Sequence, residues 1–197
     1  MARGAVGFIG RETELGALLE VGVRVGRRGP PAGVVVVGDP GSGKTRLLSE
    51  ACSRMSLRRQ LRITGFEPAR QVPLAAASDL LRTLTVGTRE GQRLHALLYE
   101  DPVASGGLEP LRIFEAAHRA LCTLGPVLII ADDLQWADEQ TLALCHYLMR
   151  AAQSTNRPIG FIGASRPGPT IDAVAAALEQ LLPPEAVAQF GLQPLSR

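Results

Sequence analysis

The chain has 197 residues, a length typical of one α/β domain, which leaves no room for a second large domain. Its net charge of +2 and aromatic content of 4% provide neither the basic surface nor the stacking platforms typical of nucleic-acid-binding domains. No apolar run reaches 18 residues, and the first residues lack the apolar core of a signal peptide. We therefore expect a cytoplasmic protein without a membrane span. The widely spaced Cys52, Cys122 and Cys145 form no metal or redox motif, as expected of thiols in a reducing compartment.

Apolar strands and amphipathic helices alternate along the chain. Leucines at helical spacing predict a helical lead-in within residues 1–32, which a cluster of glycine and proline ends. Strands are predicted at 33–37, 61–66, 127–131, 159–164 and 187–192. Further helices are predicted at 46–57, 74–84, 90–98, 110–124, 138–152 and 170–182, and Asp138 is the predicted N-cap of the helix at 138–152. Most of the remaining residues between 87 and 110 are predicted to be mobile surface loop. This alternation favours a parallel sheet of about five strands between helices, joined by right-handed crossovers.

The stretch that follows the first strand fits the pattern Gly, four residues, Gly, Lys, Ser/Thr. Strand before and helix after are the context in which this pattern binds phosphate. Its glycines let main-chain N–H groups point at an anion, and the helix adds its unpaired N–H groups and dipole. We predict that Lys44, the only lysine in the chain, reaches the β- and γ-phosphates and that Thr45 offers its hydroxyl to Mg²⁺. The predicted phosphate-binding residues are Gly38, Asp39, Pro40, Gly41, Ser42, Gly43, Lys44, Thr45 and Arg46.

A second group of charged residues follows the third and fourth strands. Asp132 and Asp133 end the third strand, at the sheet edge where open α/β sheets bind ligands. We predict that Asp132 shares Mg²⁺ with Thr45 and that Asp133 polarises an attacking water. Arg166 ends the fourth strand, where it could neutralise charge on the γ-phosphate. The alternative interpretations are two aspartates that cap a turn and an exposed loop arginine.

Four segments together resemble the AAA-like ATPase domain of STAND signalling ATPases, and most closely the N-terminal domain of large LuxR-type transcriptional regulators. They are Phe-Ile-Gly-Arg-Glu-Thr-Glu-Leu at 8–15, the phosphate pattern at 38–45, Leu-Ile-Ile-Ala-Asp-Asp-Leu-Gln-Trp-Ala-Asp at 128–138 and Gly-Ala-Ser-Arg at 163–166. The closing Leu-Gln-Pro-Leu-Ser at 192–196 resembles the segment before that family's helical lid. The fold class is therefore expected to be an α/β P-loop NTPase.

The resemblance also implies positions and roles for several residues. Gly10 and Arg11 would lie near the adenine and ribose, Pro194 would be an adenine-side contact, and Arg166 would be a sensor arginine. Asp133 would take the role of a glutamate in faster relatives, and the acidic strand would be adjacent to the phosphate-loop strand. The implied activity is ATP binding with slow hydrolysis to ADP, with Mg²⁺, used as a switch.

The same resemblance sets expectations about the whole protein. Residues 1–197 would be one ATPase domain, truncated before its C-terminal lid. DNA binding would come from a missing C-terminal helix-turn-helix and not from this fragment. The fragment could associate with itself in a nucleotide-dependent way. The same module also occurs fused to cyclases or kinases. A replication-initiator ATPase shares the Gly-Arg-Glu opening, but the basic DNA-binding domain of such proteins is not found in these residues. A P-loop small-molecule kinase would need an arginine-rich lid between the fourth and fifth strands, and residues 167–185 hold no arginine. ATP and GTP both remain open as ligands.

Overall fold

The structure is a computed structural model that describes residues 10–100 and 110–193. Within these ranges the helices are α1 (Glu12–Gly26), α2 (Lys44–Arg54), α3 (Ser78–Leu84), α4 (Arg89–His95), α5 (Pro110–Cys122), α6 (Glu139–Ser154) and α7 (Pro169–Leu181). The strands are β1 (Ala32–Gly38), β2 (Gln60–Thr64), β3 (Val127–Asp132), β4 (Ile159–Ser165) and β5 (Val187–Leu192). The predicted alternation of strands and helices is therefore confirmed.

The five strands form one parallel sheet in the order β2-β3-β4-β1-β5. Every residue of β4 is buried, and so are all but the last of β3 and all but Val37 of β1, because helices cover both faces of the sheet. A Cβ at Gly160 would lie 2.9 Å from Val21 of α1, whereas a Cβ at Gly33 would lie 3.1 Å from Leu178 of α7. Since adjacent positions of paired strands point to opposite faces, α1 and α7 cover opposite faces. This architecture confirms the predicted α/β P-loop NTPase fold.

The predicted order of the central strands was wrong. We expected the strand that carries Asp132 to be adjacent to the phosphate-loop strand, but β4 lies between β3 and β1 and pairs with both. Strand order depends on how far each crossover carries the chain, and the apolar pattern of a strand holds no information about that distance. The carboxyl ends of all three strands still lie at one edge of the sheet, so the acidic residues face the phosphate loop across the end of β4.

Two predicted helices, 74–84 and 90–98, are only partly α-helical in the structure, while the bounds of the other predicted helices and strands lie within three residues of the observed ones. Residues 74–77 are not helical, because the carboxylate of Asp138 accepts hydrogen bonds from the N–H groups of Leu74 at 2.8 Å and Ala76 at 3.2 Å. Leu74 also has a φ of 61°, outside the right-handed helical region. The helix predicted at 90–98 ends as an α-helix at His95 and continues as a π-helical turn over Ala96–Glu100. Much of the predicted surface loop, residues 101–109, lies outside the described residues.

The sequence predicts no membrane span and no metal or redox motif among the cysteines. Within residues 10–100 and 110–193, the structure contains no helix of sufficient length and hydropathy to cross a bilayer. All three cysteines carry free thiols; Cys52 and Cys145 are buried in the core and Cys122 is half-buried. Burial raises the pKa of the Cys145 thiol to about 12, which fits an inert core residue.

Candidate functional site

The phosphate loop, residues 38–45, connects the end of β1 to the start of α2. Gly41 and Gly43 have φ angles of 80° and 91°, which side chains rarely permit, so glycine is required at both turns. Gly38 is required for a different reason, because a Cβ there would lie 2.6 Å from Ser42 Oγ and 2.9 Å from the main-chain oxygen of Leu192. The loop is closed by a hydrogen bond from the Ser42 N–H to the oxygen of Asp39 at 3.1 Å.

The N-terminus of α2 has the properties of an anion site. Gly43 is the N-cap and offers no side-chain cap, and the first turn contains no acidic residue. The first N–H groups of the helix and the positive end of its dipole therefore point toward the loop without a capping side chain. Ser42 Oγ is also buried and has no hydrogen-bond partner among the described residues. An arrangement of main-chain donors at a helix start fits a phosphate group.

Lys44 lies inside the loop, with only 7% of its surface exposed. Its Nζ donates to the main-chain oxygens of Gly38 at 2.7 Å and Asp39 at 3.0 Å. Burial lowers the pKa of Lys44 below its ordinary value, while the carboxylates of Asp133 and then Asp132 oppose that shift. The structure thus brings the predicted lysine and the predicted acidic pair, Asp132 and Asp133, close enough for their charges to interact.

The acidic pair ends β3 with a sharp change of direction. Asp132 Oδ1 accepts a hydrogen bond from the N–H of Asp133 at 2.9 Å, and the main-chain oxygen of Asp132 accepts one from Gly65 at 3.0 Å. Asp133 has a φ of 52° in the left-handed region, which short acidic side chains tolerate better than most. A 3₁₀ turn over Leu134–Trp136 follows. Both carboxylates are half-buried, so neither is simply an exposed turn residue.

Gln135 is a site residue that the sequence analysis did not identify. Its Nε2 donates to Asp133 Oδ1 at 2.8 Å, while its Oε1 accepts from Ser165 Oγ and from the N–H of Arg166, each at 3.0 Å. The side chain therefore connects the acidic pair to the end of β4. The sequence places Gln135 in the segment that carries the family resemblance, but no spacing rule indicates a contact 30 positions away.

Arg166 is exposed at the end of β4, on the edge of the sheet that carries the phosphate loop. The carbon at the centre of its guanidinium lies 5.7 Å from the centroid of the Trp136 ring, a cation–π distance. Its positive charge contributes to lowering the pKa of Lys44, after the larger effect of burial. Arg166 is therefore placed where a bound anion at the loop would attract it.

Arg11 makes contacts that the resemblance did not imply. Its guanidinium is buried and donates to the main-chain oxygen of Ser42 at 3.0 Å and to that of Gln193, and it pairs with Glu14 at 3.5 Å. Arg11 thus joins the start of α1, the phosphate loop and the end of β5. Gly10 is exposed with a φ of 82°, and its N–H donates to Glu12. Pro194 lies outside the described residues.

The predicted magnesium ligands, Thr45 and Asp132, both offer oxygen donors at the carboxyl edge of the sheet. Thr45 is the second residue of α2 and is exposed, and Asp132 offers a half-buried carboxylate at the same edge. Hydroxyl and carboxylate oxygens suit Mg²⁺, which keeps waters and phosphate oxygens as its other ligands. In the described part of the chain, no group of three His, Cys, Asp or Glu side chains could hold a metal without such help. The residues fit a magnesium ion bound together with phosphate.

Residues 7–162 match the family model described as an AAA ATPase domain. The chain belongs to the AAA ATPase domain family. This AAA ATPase domain is accordingly a nucleotide-binding module with the P-loop fold seen above. A comparison with curated protein sequences gives no significant match.

Three solved structures are similar to this AAA ATPase domain over nearly its whole length. Cdc6p from Pyrobaculum aerophilum has a TM-score of 0.64 at 18% identity, over 96% of this chain and 48% of that one. The ORC1 protein of Aeropyrum pernix, solved in complex with DNA, has a TM-score of 0.62 at 19% identity, over 94% and 46%. The ORC2 protein of the same organism, in its ADP form, has a TM-score of 0.52 at 16% identity, over 97% and 50%. The chain thus spans about half the length of these proteins, and the likeness concerns the fold alone.

Proposed function

We propose that this AAA ATPase domain binds ATP with Mg²⁺ at the phosphate loop, hydrolyses it slowly, and acts as the nucleotide switch of a LuxR-type transcriptional regulator. The observation that carries the nucleotide site is Lys44, which is buried among loop oxygens and influenced by the charges of Asp133 and Asp132. Burying a cation is costly, and a buried lysine beside the uncapped N-terminus of a helix suits a polyphosphate ligand.

Each residue of the site has a proposed role in binding and hydrolysis. Main-chain N–H groups of residues 38–45 would bind the phosphates, and Lys44 would exchange its bonds to loop oxygens for bonds to the β- and γ-phosphates. Thr45 and Asp132 would hold Mg²⁺, which neutralises phosphate charge. Asp133 would accept the proton of the attacking water, and Arg166 would balance the negative charge that develops on the γ-phosphate.

The switch follows from what ATP offers and ADP lacks. Arg166 lies on Trp136 at the rim of the site, and only a γ-phosphate gives it a new anionic partner there. Arg11 joins the loop to Gln193, so we propose that nucleotide at the loop also biases the chain that follows β5. The proposed adenine and ribose contacts of Gly10, Arg11 and Pro194, and nucleotide-dependent self-association, belong to the same proposal. Slow hydrolysis is expected because the side chain of Asp133 is shorter than that of a glutamate.

The LuxR-type parent is supported by the residue pattern at 8–15 and 128–138. Fusion of the same module to a cyclase or a kinase is the alternative, and any sequence that follows Arg197 in the natural protein would distinguish the two. A helix-turn-helix domain there would support the regulator, and a catalytic domain would contradict it. A small-molecule kinase is disfavoured further because only residues 166–168 separate β4 from α7, too few for a substrate lid.

Calorimetric titration with ATP, ADP and GTP in the presence of Mg²⁺ tests the nucleotide site. Lys44→Ala is expected to abolish measurable binding, because it removes the cation that the phosphates would meet inside the loop. Arg58→Ala is the matched control, since it removes one positive charge from an exposed residue between α2 and β2. Equal affinity of wild type and Lys44→Ala, with both proteins folded by circular dichroism, would contradict the phosphate-loop assignment.

A further inference from the structure

Both the nitrogen and the oxygen of the Gln135 side-chain amide form hydrogen bonds. The N–H of Arg166 can only donate, so the atom that faces it must be the amide oxygen, and the NH₂ group must then face the Asp133 carboxylate, which only accepts. Ser165, whose hydroxyl also donates to the amide oxygen, is fully buried. These three bonds fix both the position and the orientation of Gln135.

Gln135 spans a place where the sheet divides. Main-chain pairing between β3 and β4 ends at Ala131 and Gly163. Beyond that point Asp132 pairs with Thr64 of β2, while Ser165 pairs with Val37 of β1. At its carboxyl edge the sheet therefore separates into a half that carries the acidic pair and a half that carries the phosphate loop. The Gln135 amide crosses this separation, from Asp133 on one side to Ser165 and Arg166 on the other.

We propose that Gln135 is a positioning residue for hydrolysis, which holds the Asp133 carboxylate in a fixed relation to the end of β4 and to Arg166. The inference rests on the proposed function, in which Asp133 acts on the attacking water. Gln135 donates to Oδ1 of that carboxylate, which leaves Oδ2 as the oxygen that would accept the proton. Without the amide, the distance between Asp133 and phosphates bound at residues 38–45 would vary with the separation of the two halves.

The test compares single-turnover ATP hydrolysis and ATP affinity in two variants. Gln135→Met keeps the size of the side chain and removes all three bonds. Gln135→Glu keeps an acceptor for Ser165 and Arg166 but replaces the NH₂ donor that faces Asp133 by an oxygen, so it tests the bond to the Asp133 carboxylate separately. Both variants are expected to lower the hydrolysis rate about tenfold, with ATP affinity within about twofold of wild type, because the bond acts on the reacting geometry and not on phosphate binding. Gln153→Met, on the exposed face of α6, is the matched control and should keep the wild-type rate.

A double-variant cycle separates positioning from mere structural support. If Gln135 acts through Asp133, adding Gln135→Met to Asp133→Asn should slow hydrolysis no further than Asp133→Asn alone. Provided that Asp133→Asn is slow, three results would each overturn the inference. The double variant could hydrolyse ATP more slowly than Asp133→Asn, the single variants could lose ATP affinity as much as rate, or Gln135→Glu could keep the wild-type rate. Wild-type turnover in Asp133→Asn would instead refute the proposed base, and the positioning role with it. Thermal unfolding of each variant confirms that the proteins compared are folded. Gln135→Met leaves the buried Ser165 hydroxyl without its acceptor, and the double variant with Ser165→Ala removes that hydroxyl and so controls for this loss.

Discussion

Gly38, at the junction of β1 and the phosphate loop, has no space for a side chain between Ser42 and Leu192. A Cβ at this position would lie 2.6 Å from Ser42 Oγ and 2.9 Å from the oxygen of Leu192, and the latter is main chain that cannot move cheaply. Gly38→Ala is therefore expected to reduce stability by about 1–3 kcal/mol, the usual cost of overpacking, and to weaken ATP binding by displacing the loop. Denaturant unfolding and calorimetry measure the two effects.

Gly191→Ala is the matched control for this substitution. Gly191 lies in β5, one residue before the partner of Gly38, and a Cβ there would meet no heavy atom within 4 Å. It should leave stability within about 0.5 kcal/mol and nucleotide affinity unchanged. Equal effects of the two substitutions would contradict the steric explanation.

Single residues also show which part of the site the sequence could predict. Lys44 and Thr45 occupy fixed places in a pattern whose strand and helix context is local, so their location was predictable from the sequence. Gln135 was missed because its partners on β4 become neighbours only through the order of the strands. Arg11 was assigned to the base and sugar by resemblance, whereas its bonds to the main chain of Ser42 and Gln193 depend on where β5 ends.

At the scale of elements, Asp138 connects two parts of the fold. It was predicted as the N-cap of α6, and its carboxylate does accept from the N–H of Thr141 at 2.8 Å and from that residue's hydroxyl at 2.7 Å. The same carboxylate takes two more bonds from Leu74 and Ala76, which shortens α3. The cap could be predicted because it is local, but the shortened helix could not, since its cause lies more than 60 positions away.

Asp138→Ala should destabilise the protein by roughly 2–4 kcal/mol, because it removes a helix cap and leaves buried N–H groups without an acceptor. Burial of this carboxyl group alone would raise its pKa, but the hydrogen bonds from Thr141, Leu74 and Ala76 outweigh burial and lower it. A lowered pKa in the folded state means that the stabilisation is present above the unfolded pKa of about 3.9 and is lost as pH falls below it.

Urea unfolding between pH 3 and pH 7 checks both parts of this prediction. The difference in unfolding free energy between wild type and Asp138→Ala should be constant above about pH 5 and should shrink as the pH falls toward the folded pKa. Asp172→Ala, in the first turn of α7 on an exposed position, is the control and should show a small difference. A difference that grew toward low pH would reverse the assigned sign.

At the scale of the whole molecule, the fold class was predictable and the strand order was not. Continuous apolar runs such as Val-Leu-Ile-Ile-Ala at 127–131 indicate buried parallel strands, since only strands covered on both faces need them. The position of β4 between β3 and β1 depends on long crossovers that leave no local pattern. That order also places the acidic pair and the phosphate loop on opposite sides of the end of β4.

Because the proposed nucleotide site joins both halves of the sheet, ligand binding should stabilise the molecule as a unit. ATP with Mg²⁺ at 100 times its dissociation constant is expected to add about 2.7 kcal/mol to the free energy of unfolding, which corresponds to a rise in Tm of roughly 5–10 °C for a chain of this size. Differential scanning calorimetry should show no such rise for Lys44→Ala. In Arg166→Ala, the rises produced by equal concentrations of ATP and ADP should become more alike, since Arg166 is the proposed partner of the γ-phosphate. A difference between ATP and ADP that Arg166→Ala leaves unchanged would show that another residue reads the γ-phosphate.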